Sequence, residues 1–296
     1  MTSLSRKDWI LLILLTIFWG ANWPVMKIAV HDFPPLSFRL LSMLGGRAAR
    51  WAVIRMQRLP LAIPRGQLST VVKLAIPNML MWQLFIILGV KMLTSGRAAI
   101  LGYTMPVWAI LCGLIFFRER VTKIAWLGVG CALAGALLLL SSEFGSLSGQ
   151  PLGSLMALIA AAAWGYGTVI MKRTPIEMPT ISLTFWMVLI GTLLLLPLAA
   201  LFEHAAWRAP DAAEWGAIAF NALIVLAFAQ VVWFRLARTL PPVASSLSVM
   251  MIPVLGIFFG AWWLQETLHW QDYAAMLLIL AAMSTVLLKP RPRALT

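Results

Sequence analysis

Ten apolar segments, each of about 20 residues, follow one another along this chain. A helix of that length crosses the hydrocarbon core of a bilayer, so each segment matches one membrane span. Because 61% of the 296 residues are hydrophobic and 11% are charged, an ordinary soluble domain is excluded. The sequence therefore predicts an all-α polytopic membrane protein with ten transmembrane helices. The predicted spans are residues 9–30, 35–56, 70–90, 96–117, 122–141, 152–173, 179–202, 214–238, 243–264 and 270–288.

The basic residues predict the orientation of these helices. If successive spans alternate in direction, 18 of the 23 Lys and Arg residues fall on one side. Short cytoplasmic loops are enriched in Lys and Arg, so this side is predicted to be cytoplasmic, together with both termini. The net charge of +13 is thereby explained by topology and requires no nucleic-acid partner. The expected partners are the lipid bilayer and a small molecule.

Matching motifs in the two halves of the chain predict an internal repeat. Trp19-Gly20 recurs as Trp164-Gly165, 145 residues later. At an offset of 147 residues, Gln83 matches Gln230, Pro106 matches Pro253 and Glu119 matches Glu266. These matches divide the chain into two five-helix units, residues 1–145 and 146–296. Because five is odd, the second unit enters the membrane from the opposite face, which makes the units inverted repeats. Secondary transporters often have this organisation, with the substrate bound between the repeats.

The same motifs carry a family resemblance over essentially the whole chain. A Trp-Gly pair near the middle of spans one and six, and a Pro followed 13 positions later by a Glu in spans four and nine, resemble the drug/metabolite transporter superfamily. The chain is similar to its ten-helix EamA-type exporters, and among them most similar to YddG-type exporters of aromatic and other neutral amino acids. This resemblance implies amino-acid export across the bacterial inner membrane by alternating access through a central cavity.

Polar and large side chains within the spans are the candidate substrate-binding residues. Amide side chains inside a membrane usually face the bundle interior, and a small amphipathic ligand needs apolar walls with a few polar groups. The alternative role for the amides is hydrogen bonding between helices, and for the larger residues packing against lipid or protein. The candidates are Asn78, Met79, Trp82, Gln83, Tyr103, Trp164, Gln230 and Met251.

Two prolines in mid-span, Pro106 and Pro253, are the candidate hinges. Each removes a backbone donor from its helix, and in a membrane such a break is tolerated beside protein or a water-lined cavity. A static kink is the alternative. Four cations on the predicted outer side, Lys27, Arg39, Lys91 and Arg97, depart from the charge rule. The two roles open to them are lining an outer vestibule that attracts a substrate carboxylate and extension to the lipid headgroups, and for most of them we expect the second.

The sequence contains no pattern that predicts an enzyme. Cys112 and Cys131 lie in apolar runs without further ligands at metal-binding spacing, so neither a metal nor a cofactor is expected. Three alternatives to amino-acid export remain: another small metabolite, drug or polyamine as cargo of the same architecture, a membrane enzyme, and a helical interaction protein. The expected assembly is a monomer or a weak oligomer.

Overall fold

The computed structural model describes residues 6–145, 149–230, 232 and 242–287, and these residues form helices and connecting loops without any strand. We number the helices α1 to α10 in chain order. Their bounds are Arg6–Asp32 (α1), Pro35–Met56 (α2), Leu68–Met92 (α3), Ser95–Phe117 (α4), Lys123–Gly145 (α5), Pro151–Arg173 (α6), Thr180–Glu203 (α7), Ala212–Ala229 (α8), Pro242–Leu264 (α9) and Trp270–Leu287 (α10). The predicted boundary between the repeats at residue 146, the predicted end of the eighth span and both chain termini lie outside the described residues.

Seven helices within the described residues, α1 and α3 to α8, are long and apolar enough to cross a membrane. The 22-residue helix α2 carries four arginines, and the apolar stretch found in α9 is Ser248–Leu264. The protein is therefore a polytopic helical membrane protein. The total of ten spans stays a prediction.

Proline and acidic residues mark the starts of several helices. Pro35 and Pro151 occupy the first turn of α2 and α6, where the missing N–H would have no helical partner in any case. At the start of α8, the Asp211 carboxylate accepts a hydrogen bond from the Glu214 N–H at 2.8 Å, and the Glu214 carboxylate accepts one from the Asp211 N–H at 2.7 Å. This reciprocal capping box satisfies two donors that the first turn leaves free.

Hydrogen bonds at the helix ends show which loops of the bundle lie together. At one end the carboxylate of Glu203, the last residue of α7, accepts hydrogen bonds from the Leu36 and Ser37 N–H groups at the start of α2, both at 2.8 Å. There too Glu266, after α9, accepts one from the Ser95 N–H at 2.7 Å. At the other end, the Trp186 indole N–H near the start of α7 donates to a carbonyl of the loop after α2 at 2.7 Å. Helices α2 and α7 therefore run antiparallel, with the start of each beside the end of the other.

One buried ion-pair cluster joins three helices at the first of these ends. The Arg97 guanidinium of α4 contacts the carboxylates of Glu143 in α5 and Asp272 in α10, and the Nε–Oδ1 distance to Asp272 is 2.7 Å. A more exposed pair, Arg173 with Glu119, lies near the ends of α6 and α4. Arg97 therefore holds helices together here, where extension to headgroups was the expectation for most of the outer cations.

Helix packing follows a reciprocal pattern between the two halves of the chain. Helix α1 packs on α9 and α6 on α4; α3 packs on α6 and α8 on α1; α2 packs on α7, and α5 on α10. When α1–α5 are exchanged with α6–α10 in order, the α1–α9 contact corresponds to the α6–α4 contact and the α3–α6 contact to the α8–α1 contact. The α2–α7 and α5–α10 contacts correspond to themselves. A twofold axis relating the halves would produce this pattern.

The two Trp-Gly motifs explain how two of these helix pairs approach so closely. A Cβ added to Gly20 would lie 2.5 Å from the Leu255 Cβ of α9, and one added to Gly165 would lie 2.7 Å from the Trp108 Cβ of α4. Trp108 and Leu255 are separated by 147 positions, the offset of the other matches. The motif is thus a site of close helix crossing at equivalent places in the two halves.

The ends of α4 and α9 share a local geometry as well. Arg118 and Gln265 both adopt the left-handed conformation, with φ of 54° and 53°. In each case the next residue, Glu119 or Glu266, donates its N–H to the carbonyl six positions earlier, at 3.1 Å and 3.3 Å. This bond closes the helix end in both halves and places the glutamate just beyond it.

The candidate hinge prolines, in contrast, occupy different local structures. Helix α4 is interrupted at Tyr103 and Thr104, so Pro106 lies in the first turn of the segment Met105–Phe117. Pro253 lies inside the continuous helix α9. Residues at equivalent sequence positions therefore have different backbone arrangements in the two halves.

Candidate functional site

A cavity of about 300 Å³ lies between α1, α2, α3, α4, α6, α8 and α9. Its volume matches the lower end of the range for small-ligand sites, about 300–1,000 Å³. The cavity is lined mainly by aromatic, aliphatic and amide side chains. They are Trp19, Asn22, Trp23, Met26, Arg39, Met79, Trp82, Gln83, Ile86, Tyr103, Met105, Trp164, Asn221, Val225, Leu226, Gln230, Val249 and Ile252.

Irregular turns in two helices bring their residues to this cavity. Helix α3 has a π-helical segment at Ile76–Met81, and α8 has one at Phe220–Ala229. Shifted by 147 positions, the first segment falls within the second, and together they contribute Met79, Asn221, Val225 and Leu226 to the lining. A π turn widens the helix, changes which side chains face inward and is frequent at functional sites.

Two aromatic pairs form much of the wall. The Trp82 and Trp164 rings, from α3 and α6, have centroids 5.2 Å apart and an interplanar angle of 56°. The Trp23 and Tyr103 rings, from α1 and α4, are 6.2 Å apart at 59°. Such tilted pairs present both ring faces and edges to a ligand, so the wall suits an apolar or aromatic group.

Polar side chains of α1, α2 and α8 form another part of the lining. The Asn221 amide donates to the Asn22 Oδ1 at 2.7 Å and accepts from the Arg39 Nη1 at 3.3 Å. Gln230 accepts a hydrogen bond from Arg50. None of the cavity-lining residues in the described part of the chain is acidic. The cavity is thus amphipathic, with positive charge on one side only.

Six of the eight sequence-predicted site residues line this cavity: Met79, Trp82, Gln83, Tyr103, Trp164 and Gln230. The other two do not. Asn78 is buried, donates to the Leu74 carbonyl at 2.9 Å and packs against Gly167 of α6. Met251 is 45% exposed on the outer face of α9, where its neighbours Val249 and Ile252 face the cavity instead. Adjacent helical positions point about 100° apart, and the position of a residue within a span does not reveal this rotation.

Arg39 is the most consequential lining residue that sequence reasoning placed elsewhere. Arg39 does not extend to the headgroups as expected for most of the outer cations, because it is only 3% exposed and reaches the cavity. A signal was present in the sequence: Arg39 and Arg50 are separated by 11 positions, which puts them on one face of a helix. Both are buried on this face of α2, together with Met43 and Gly46.

Within the described residues, no group of three or more His, Cys, Asp or Glu side chains is arranged to hold a metal ion. The chemistry that the cavity itself offers is noncovalent binding of a small amphipathic molecule inside a helical bundle.

Comparison with known families identifies the class of protein to which this bundle belongs. The family model of the EamA-like transporter family matches residues 7–141 and again residues 151–288. The chain belongs to the EamA-like transporter family. This EamA-family protein is therefore a membrane transporter, and the cavity lies within the part of the chain that the family model covers.

Bacterial relatives of this EamA-family protein have similar lengths. The "Uncharacterized transporter YoaV" of Bacillus subtilis is 30% identical over 260 residues, covering 86% of this chain and 87% of the relative. The "Uncharacterized inner membrane transporter YedA" of Escherichia coli is 26% identical, with coverages of 93% and 88%. The "Probable amino-acid metabolite efflux pump" of Salmonella typhimurium is 25% identical, with coverages of 95% and 94%.

One solved crystal structure matches the fold over nearly the whole length. It covers 96% of this chain and 98% of the other, with a TM-score of 0.66 and 21% sequence identity. At that identity the match shows a shared helical architecture.

Proposed function

We propose that this EamA-family protein exports amino acids, aromatic or other neutral ones, through the cavity between its two halves. The observation that carries the proposal is the lining, which combines paired aromatic rings with a cluster of amides and one guanidinium. An aromatic amino acid has an apolar ring and two polar groups at one end, so its shape and polarity complement these walls. The efflux pump named among the relatives is in agreement with this cargo.

Transport would proceed by alternating access between two inverted five-helix repeats, residues 1–145 and 146–296. The reciprocal packing of the helices and the double match of the family model support this arrangement. Pro106 and Pro253 would be its hinges. In alternating access the two repeats exchange conformations, so equivalent hinge positions are expected to have different backbone structures in any one state, as these two prolines do. Ten spans in the bacterial inner membrane would place both termini in the cytoplasm.

A cationic drug or a polyamine is the competing cargo for the same architecture. Transporters of cations commonly place carboxylates along the substrate path. The described lining contains none and contains the buried Arg39, which would repel a cationic group. This distribution of charge favours a cargo with a carboxylate.

Proteoliposomes provide the test. Purified protein should show saturable uptake and counterflow of L-phenylalanine, and Trp164→Ala should raise the KM about tenfold, because aromatic contacts contribute about 0.5–1.5 kcal/mol beyond burial. Trp215→Ala is the matched control, since Trp215 is exposed on α8 and does not line the cavity. Flux that does not saturate, or the absence of flux with a full panel of amino acids, would refute amino-acid export.

A further inference from the structure

Arg39 has an incomplete set of partners at the cavity wall. Its Nη1 donates to the Asn221 Oδ1 at 3.3 Å and its Nη2 lies 3.0 Å from the Met26 sulfur, while the buried Nε has no hydrogen-bond partner. A guanidinium remains charged inside proteins and has five N–H donors arranged to match a carboxylate. Arg39 therefore has unused donor capacity beside an open volume.

Two carboxylates on helices that pack against α2 are already engaged. Glu203 accepts hydrogen bonds from the first N–H groups of α2, and Glu214 forms an ion pair with Arg208. Among the described residues, no carboxylate forms an ion pair with Arg39. A buried charge without a counter-charge is strongly unfavourable, so the site is electrostatically prepared for an anionic group.

Arg50 adds a second positive charge on the same face of α2, 11 residues further along. It is 1% exposed, donates to the Gln230 side chain from Nη2 and has no partner at Nη1. Gln230 lines the cavity, so Arg50 also acts on it through a neutral amide. Two buried guanidinium groups of α2 thus contact amides of α8 that line the cavity, Arg39 through Asn221 and Arg50 through Gln230.

We infer that Arg39 binds the carboxylate of the transported molecule while the Trp82–Trp164 wall holds its apolar part. The inference rests on the proposed export through this cavity and makes it more specific. The selected class is small amphipathic molecules with a free carboxylate. The amino group would be dispensable for binding, and an amine without a carboxylate would be rejected.

Three ligands that share one phenyl ring separate these requirements. L-Phenylalanine has both charged groups, 3-phenylpropanoate has only the carboxylate, and phenethylamine has only the amine. Isothermal titration calorimetry of the purified full-length protein in lipid nanodiscs should show that L-phenylalanine and 3-phenylpropanoate bind the unsubstituted protein. Phenethylamine should bind at least about tenfold more weakly than either of them.

Arg39→Gln should weaken the binding of L-phenylalanine and 3-phenylpropanoate by about 10- to 100-fold, because a hydrogen bond to a charged group is lost. The same substitution should not weaken the binding of phenethylamine. Arg39→Lys should retain part of the affinity, since it keeps the charge and loses the planar fork. Arg55→Gln is the matched control because Arg55 is exposed on the same helix. If Arg39→Gln does not fold, the lysine variant and the ligand preference of the unsubstituted protein provide the test.

The outcomes distinguish the inference from the proposed function. If L-phenylalanine binds Arg39→Gln as tightly as the unsubstituted protein, the inference is refuted and amino-acid export stands. If 3-phenylpropanoate binds through Arg39 and no amino acid of the full panel binds or is transported, the inference stands and amino-acid export is refuted. If neither L-phenylalanine nor 3-phenylpropanoate binds the unsubstituted protein, the inference is refuted, and amino-acid export is refuted as well when the full panel of amino acids shows no flux.

Discussion

The close crossing of α4 and α6 makes Gly165→Ala a sensitive test of the packing. The added methyl would lie 2.7 Å from the Ala109 backbone N, 2.7 Å from the Trp108 Cβ and 2.9 Å from the Met105 carbonyl oxygen. Two of these three atoms belong to the backbone, so no change of side-chain rotamer can remove the clash. The two helices must separate by about 0.7 Å or more to restore ordinary contact distances.

Two effects of opposite sign determine the change in the free energy of unfolding. Replacing a helical glycine by alanine is worth about 0.5–1 kcal/mol of stability, whereas inserting a methyl into a packed site costs about 1–3 kcal/mol. Gly130→Ala isolates the first effect, because Gly130 is in α5 and has no atom within 4 Å of its added Cβ. The difference between the two variants is then the cost of the clash, about 1–3 kcal/mol.

Thermal unfolding in detergent, at one scan rate for all samples, measures this difference. We expect Gly130→Ala to melt at or above the temperature of the unsubstituted protein and Gly165→Ala to melt about 2–12 °C below Gly130→Ala, at about 2–4 °C per kcal/mol. A Gly165→Ala protein that melts together with Gly130→Ala would show that α4 and α6 do not cross at this distance. The equivalent crossing of α1 and α9 at Gly20 would then also be in doubt.

Two further predictions concern charge and topology. Arg97→Gln should destabilise the protein by about 3–5 kcal/mol, because two buried carboxylates lose their counter-charge, whereas Arg173→Gln, in a half-exposed pair, should change stability by at most about 1 kcal/mol. Equal melting temperatures for these two variants would contradict the burial of the Arg97 cluster. In a background without native cysteines, Ala209→Cys should react with a membrane-impermeant maleimide on intact cells, and Ala62→Cys only after permeabilisation; the reverse result would invert the proposed orientation.

Membrane residence, the helical class and the family could be inferred from the sequence alone. The lengths of the apolar segments are set by bilayer thickness, and backbone groups in lipid must be satisfied within each helix, so these features are local and readable. The Trp-Gly pairs were equally readable as a repeat. Their physical role, close approach to Trp108 and Leu255 of other helices, depends on contacts between residues far apart in the chain.

The residues that line the cavity were predictable only in part, because the residue type is local information and the direction of a side chain depends on how its helix packs. Trp82, Gln83 and Trp164 are large or polar residues in mid-span, and the structure brings them to one cavity. Asn78 and Met251 satisfied the same criterion, but the turn of each helix directs them elsewhere.

The sequence determined that this chain spans a membrane with a surplus of positive charge, because hydropathy and charge are sums over neighbouring residues. Where an individual charge acts was decided by the tertiary structure. Arg39 lies about one turn into α2, where a free helix would let its side chain reach the headgroups. The neighbouring helices instead enclose it with Asn221 and Met26, and the first turn of α2 is held by Glu203. Helix packing thereby turns a cation expected at the membrane surface into part of the cavity wall.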